Sequence, residues 1–533
     1  MLLTFKSNDN LNEYNFDNWP PPSRISQYQD VSAPYPGARC PPYSQYAGIR
    51  HLPYSNGPLQ LAFQRPKKEC RTFQSPAVEK VIEEVTSRMK DNDLARMFEN
   101  CFPNTLDTTI RWYVLGDDPK AFITTGDINA QWLRDSANQL QPYIDLLHYD
   151  ENLRKLVLGA IRMQADYIIS SPYCNAFNAP PESNIPPAGS GYADRVYPPP
   201  NRKVVFECKY ELDSLASFLD LSNEYYTATR DTKFMDDAWI RAIESIFDVI
   251  RDQQMPTFTS DNSPNFPEYL FERTTTLATE TLALNGIGYP VNTGTSLIKS
   301  SFRPSDDSTI LPFLIPVNAM MAVQLEKISQ LLSKIGKNEL ATFAQETSNS
   351  VRKGIEEHAI FEHPVFGKIF AYEVDGYGGR IIMDDANIPS LLSLPRLGFL
   401  KKEDQVYQNT RKAILSKTGN PYYLQGSVFK GIGGPHVGLR NAWPMSLLQQ
   451  ISTTDNDNEI LELLNFIKES TYGLGLIHES VNVNNLGMFT RSWFSWANSE
   501  FARVILDLAK RKPLLIFKDG NNPFYLSSIF EHK

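Results

Sequence analysis

Six short stretches of this chain gather carboxylates, arginines and indole rings closely enough to do chemistry. The first, Gly126-Asp127-Ile128-Asn129-Ala130-Gln131-Trp132-Leu133-Arg134-Asp135-Ser136, sets Trp132 beside Arg134 and Asp135 where a helical pattern begins. An indole face can stack on a flat apolar ligand surface, and an arginine–carboxylate pair can hold hydroxyls, which together suit a sugar ring. Asp135 could equally be a first-turn carboxylate favoured by the helix dipole. Glu211 and Asp213 open a second apolar helix, and Arg303-Pro304-Ser305-Asp306-Asp307 forms the third stretch. The fourth is Met383-Asp384-Asp385-Ala386-Asn387. The fifth carries His436 after Gly433-Gly434-Pro435, then Trp443 after Asn441-Ala442. The sixth runs from His478-Glu479-Ser480 through Phe489-Thr490-Arg491 to Trp493-Phe494-Ser495-Trp496.

Other chemistries fit these residues less well. Asp306-Asp307 has the look of a Mg²⁺–diphosphate motif, but Ile310 stands where a DDxxD pattern needs its third acid. No HExxH occurs, and His436 and His478 lie in different stretches, so neither a metal nor a cofactor is expected. The Gly431–Gly434 run is not followed by the Lys-Ser/Thr of a P-loop. What remains is a surplus of carboxylates among aromatics. Paired carboxyls are the usual means of cleaving a glycosidic bond: one gives a proton to the leaving oxygen, the other activates water. Adjacent aspartates suit the acid role, because like charges raise one pKa.

These stretches lie between helices. Ser75-Pro76-Ala77-Val78-Glu79 reads as a helix start, with Ser75 as cap and Pro76 at the first position. Apolar spacing predicts further helices near 136–148, 151–170, 208–229, 232–254, 308–334, 337–358, 403–416, 443–453, 456–470 and 492–511. Strand signals are short: 111–115, 121–124 and 368–372. The Pro- and Gly-rich segment 171–200 reads as a long loop, a candidate wall for a ligand site. A dozen helices without alternating strands predict an all-α fold, and helix pairs closing into an α/α toroid suit that number better than a bundle. The expected domains are a Pro-rich arm over 1–70 that lies against the body, a catalytic domain over 71–515 and an extension over 516–533.

Composition narrows the partners. With 52 Lys+Arg against 61 Asp+Glu, the net charge of −9 speaks against a nucleic-acid binder. No apolar run reaches the ~18–20 residues of a membrane span, and the first residues lack an apolar leader core. No Asn-x-Ser/Thr acceptor is present. The five cysteines form no CxxC pair, and buried reduced thiols in a cytoplasmic, monomeric protein are expected, with one or two disulfides in an enzyme of the secretory pathway as the alternative.

Taken in order, GDINAQWLRDS, YELDSL, RPSDD, YEVDGYGG, MDDANIPSLLSLP, AWPMS, HES and FTRSWFSWAN resemble glycoside hydrolase family 125, the metal-independent exo-α-1,6-mannosidases. The resemblance spans about residues 70–510, and the preceding LQLAFQRPKKECRTF looks like the fungal branch, some of whose members are catalogued as meiotically up-regulated proteins. It implies an (α/α)₆ barrel that removes terminal mannose from an oligosaccharide or N-glycan with inversion and without a metal. It places the general acid at Asp306 or Asp307, the base at Glu479, and sugar binding at Trp132, Arg134 and Asp135. Glu211, Asp213, Arg303, Asn387, His436, Trp443, His478 and Trp496 are the further expected substrate contacts. A non-catalytic glycan-binding toroid, or a helical-barrel glycosidase for another sugar, remains the alternative.

Overall fold

Twelve helices of eight or more residues occur in the structure, a computed structural model that describes residues 40–520 and 522–531. They are α1 (Pro76–Arg88), α2 (Asn92–Cys101), α3 (Leu133–Leu140), α4 (Glu151–Ser170), α5 (Leu212–Thr229) and α6 (Asp237–Gln253), followed by α7 (Ile315–Lys334), α8 (Asn338–His358), α9 (Gln405–Ile414), α10 (Pro444–Ser452), α11 (Asp457–Ser470) and α12 (Ser495–Arg511). Apolar spacing anticipates all but α2, whose stripe of Leu94, Met97, Phe98 and Cys101 is short. Two predicted helices are trimmed. After Leu140 the chain tightens into a 3₁₀ turn over Gln141–Leu146, because Pro142 cannot continue the α-helical ladder. The segment predicted from 308 becomes helical only at Ile315, since 313–314 pairs as a strand with 373–374. The strands are short and antiparallel, in sheets of two or three. The anticipated ones pair as hairpins, Ile110–Val114 with Lys120–Ile123 and Ile360–His363 with Gly367–Phe370.

Helices alternate between two layers. α3 packs on α5, α5 on α7, α10 on α12, and α12 on α3. α4, α8 and α11 back onto members of that series, and α6 lies beside α4. Between α7 and α10 the inner position is filled by turns near 390–400 rather than by a helix. Arg396 in those turns reaches Glu500 of α12 at 2.8 Å and Gln449 of α10 at 3.4 Å.

The helix starts fall into a capped and an uncapped set. α1, α2, α4, α6, α9 and α11 are capped by the side chains of Ser75, Asp91, Asp150, Asp236, Asp404 and Asn456. α3, α5, α7, α8, α10 and α12 have no side-chain cap. Four of these uncapped starts carry the stretches marked by chemistry. Their first turns therefore offer positive dipole ends and chemically committed side chains together.

Both flanks of the body are packed. Tyr43 sets its ring edge against Trp493 at 4.8 Å, and Arg65 pairs with Asp107 at 2.8 Å. At the other end, Lys518 donates its backbone N–H to Arg88, and the Phe530 ring stacks on Tyr149 at 4.4 Å. Residues 1–39 of the Pro-rich arm lie outside the described residues. Among the described residues no helix is long and apolar enough to cross a membrane.

The cysteine expectation is corrected. Cys40 bonds Cys70, Cys174 bonds Cys208, and only Cys101 keeps a free, buried thiol. Pairing of 176–177 with 205–207 brings the second couple together. Partners 30 and 34 residues apart leave no signature in the spacing.

Candidate active site

A cavity of about 310 Å³ opens where those four uncapped helix starts converge. Arg134, in the first turn of α3 and 3% exposed, organises one side of it. Its guanidinium donates to Glu211 at 2.6 Å, to Asp213 at 3.1 Å and to Asp306 at 3.2 Å, and Asp135 lies 3.4 Å away. Four carboxyls thus share one guanidinium, and burial acts on all of them. It pushes Asp135 and Asp213 up to about 6 and raises Glu211 well above the ordinary glutamate range. Asp306 goes the other way. Burial would raise it, but Arg134 and Lys209 together hold it below the usual carboxylate range. Adjacency to Asp307 therefore does not make Asp306 the weaker acid; the nearby cations outweigh it. A hydrogen bond joins Asp306 to Glu211, so the proton of this pair rests on Glu211.

The RPSDD turn separates its two aspartates. Arg303 donates its backbone N–H to Asp307 at 2.8 Å, Asp306 donates its own to Arg303 at 2.9 Å, and Asp306 takes a left-handed φ of 68° that aspartate tolerates better than most residues. The Asp306 side chain, 25% exposed, lines the cavity. That of Asp307, 0% exposed, does not, and it lies 3.6 Å from His436.

A second arginine serves Glu479. Arg491 donates to Glu479 at 3.0 Å and also pairs with Asp127. Burial would raise the Glu479 pKa, but Arg491 and His436 bring it below the ordinary glutamate range, so the carboxylate stays ionised. Trp132, Trp443 and Trp496 line the same cavity, and none of their indole N–H groups meets a protein acceptor. Ser305 Oγ, Thr125 Oγ1 and Asp135 Oδ2 are likewise buried without a hydrogen-bond partner. Such a wall of apolar faces interrupted by unmatched donors and acceptors suits a ligand rich in hydroxyls.

Nine of the expected site residues line this cavity: Trp132, Arg134, Asp135, Asp306, Asn387, His436, Trp443, Glu479 and Trp496. Glu211 and Asp213 sit behind it as partners of Arg134. Arg303, expected to touch sugar, is instead a buried partner of Glu373 at 2.6 Å. His478, also expected to touch sugar, turns away: its Nδ1 lies 3.0 Å from the Arg491 carbonyl, its ring stacks on Phe489 at 3.8 Å, and burial lowers its pKa to about 4. Asp135 does not cap α3, because Trp132 occupies the cap position.

The sequence reading missed Ser44 of the arm, Tyr192 of the long loop, and Glu207, Lys209, Arg273 and Glu280 as cavity residues. Lys209 stands two residues before Glu211, the nearest thing to a signal. The others come from segments that only the tertiary fold brings close. Among the described residues no group of three or more His, Cys, Asp or Glu is arranged to hold a metal ion, and the Arg134 carboxyls are taken up by a guanidinium.

Comparison with known proteins places this geometry. A family profile described as metal-independent alpha-mannosidase (GH125) matches residues 91–506. The chain is 54% identical to the meiotically up-regulated gene 157 protein of Schizosaccharomyces pombe over 488 residues, 91% of this chain and 96% of that one. It superposes with a TM-score of 0.75 and 34% identity on a Streptococcus pneumoniae metal-independent alpha mannosidase in a non-productive complex with alpha-1,6-mannobiose, covering 82% of this chain and 99% of that one. A Bacillus family 78 rhamnosidase aligns with a TM-score of 0.50 at 10% identity, over 79% of this chain and 36% of that one, a likeness of fold alone.

Proposed function

The chain belongs to glycoside hydrolase family 125, the metal-independent α-mannosidases, and we propose that it removes terminal non-reducing α-1,6-linked mannose from oligosaccharides or N-glycans with inversion. The observation that carries this reading is a pair of carboxyls, Asp306 and Glu479, held in one cavity by separate arginines, Arg134 and Arg491. Asp306 is the general acid, because of the two adjacent aspartates only it faces the cavity. A bound sugar strips water from its exposed quarter, which disfavours the ionised form and draws the shared proton across from Glu211. Asp306 then passes that proton to the glycosidic oxygen. Glu479, kept ionised by Arg491, takes a proton from water as that water attacks the anomeric carbon. The bond to the leaving sugar breaks, and mannose departs with its anomeric configuration reversed. Binding of α-1,6-mannobiose by the Streptococcus pneumoniae relative supports the linkage. The two-layer alternation of helices supports an (α/α)₆ barrel, with the turns near 390–400 in the sixth inner place.

The test is incubation with α-1,6-mannobiose in the presence of EDTA, followed by proton NMR. Mannose should be released from mannobiose, and an aryl α-mannoside, whose only sugar product is the cleaved mannose, should yield the β-anomer first. Glu479→Gln should lose activity on every substrate, whereas Asp306→Asn should keep more on an activated aryl mannoside than on mannobiose. Each loss should be about 10²–10⁴-fold. Early α-mannose from the aryl α-mannoside would refute inversion, and binding without release would leave the cavity a glycan-binding site.

The two disulfides support maturation in an oxidising compartment, against the cytoplasmic expectation. Alkylation of unfolded, unreduced protein should then label a single cysteine, Cys101. Labelling of all five cysteines in natively purified protein would restore the cytoplasmic reading.

A further inference from the structure

One wall of the cavity is built by residues that the reaction above leaves unused. Arg273, 5% exposed, donates from Nε to Asp194 at 2.7 Å, from its two terminal nitrogens to Glu280 at 2.5 Å and Glu207 at 2.8 Å, and again to Asp194 at 2.7 Å. Its guanidinium lies 3.9 Å from the centre of the Tyr192 ring. Tyr192 and Asp194 precede the strand Arg195–Tyr197, which pairs with Leu270–Glu272 immediately before Arg273. A loop tip rich in Gly, Pro and Ser is thereby fastened: a strand pair holds its base, and a two-pronged carboxylate–guanidinium contact holds the residue two places from the tyrosine.

This wall is tied to the Asp306 side of the cavity. Lys209 donates to the Asp306 carbonyl at 2.9 Å and lies 3.3 Å from Glu280, which Arg273 also holds. In a glycosidase the general acid marks the leaving-group side, since it must reach the glycosidic oxygen. With Arg273 over one face, the Tyr192 ring can offer a ligand only its other face and its edge. A tyrosine presents a large apolar surface at little entropic cost, and its electron-rich face attracts the polarised C–H groups of a pyranose.

We propose that Tyr192, backed by Arg273 and locked by Asp194, is the platform on which the leaving-group sugar stacks, so that this loop selects substrates with a sugar on that side of the scissile bond. The inference rests on the mannosidase reading. Tyr192 touches the leaving-group sugar directly and takes no part in the bond-breaking step.

The experiment compares α-1,6-mannobiose with α-mannosyl fluoride, whose leaving group occupies no sugar subsite. Tyr192→Ala should lower kcat/KM on mannobiose by roughly tenfold, the scale of one aromatic contact, mainly through KM. The fluoride should be cleaved at the wild-type rate, and Tyr192→Phe should restore mannobiose cleavage. Asp194→Asn, which loosens the platform without removing the ring, should show a smaller loss of the same kind. Equal loss on both substrates, or no loss on either, would overturn the proposal. Failure of the wild-type protein to cleave either compound would sink the mannosidase reading itself.

Discussion

Two of the three arginines that line the cavity do opposite kinds of work. Arg134 gathers four carboxyls, so burial and mutual repulsion leave a proton within that group, on Glu211. Arg491 faces Glu479 and Asp127 and keeps the Glu479 carboxylate, the proposed base, ionised. Arg491→Met should therefore raise the Glu479 pKa, because burial then acts with less opposition. The base would be protonated at higher pH, and the acidic limb of the kcat/KM profile should move upward. A profile with an unmoved acidic limb would show that Arg491 does not set the protonation of the base. The acidic pair at 306–307 carries a related lesson. Neighbours in sequence do not share an environment when a turn with one left-handed residue sends their side chains to different places.

Among the helices, the capped start of α1 and the uncapped start of α3 serve different ends. Ser75 caps α1 and donates to Asp150 at 2.6 Å, and Asp150 in turn caps α4, so one hydroxyl couples two helix starts. Ser75→Ala should cost about 1–2 kcal/mol and lower Tm by a few degrees while leaving mannose release unchanged. Asp135→Asn should do the reverse. The uncapped start of α3 has no cap to lose, so melting should change little while turnover falls by at least ~100-fold. A large drop in the melting temperature of the Asp135 variant would return that residue to a structural role.

Across the whole molecule, buried carboxyls set the pH range of stability. Burial holds Asp135, Asp213 and Asp220 up at about 6 and Asp384 at about 8. Each binds its proton more tightly folded than unfolded, so its stabilising contribution is complete below the ordinary aspartate pKa and is lost as pH rises through those values. Glu79, Asp91 and Glu500 are shifted the other way, their ion pairs outweighing burial, and their contribution disappears as pH falls below the carboxylate range. Stability should therefore peak at mildly acidic pH, with Tm higher at pH 5 than at pH 8. Calorimetry showing a steady rise to pH 8 would refute this. The helical architecture, most helix positions and nine cavity residues were legible in the chain by itself, because apolar spacing, caps and motif chemistry are local properties. The pairing of Cys40 with Cys70 and of Cys174 with Cys208, the facing of Asp306 and not Asp307 into the cavity, the withdrawal of His478 and Arg303, and the wall formed by Tyr192 and Arg273 were not. These depend on distances between segments far apart in the chain and on the sum of charges meeting in a dry interior, which no local pattern records and only the closed fold sets.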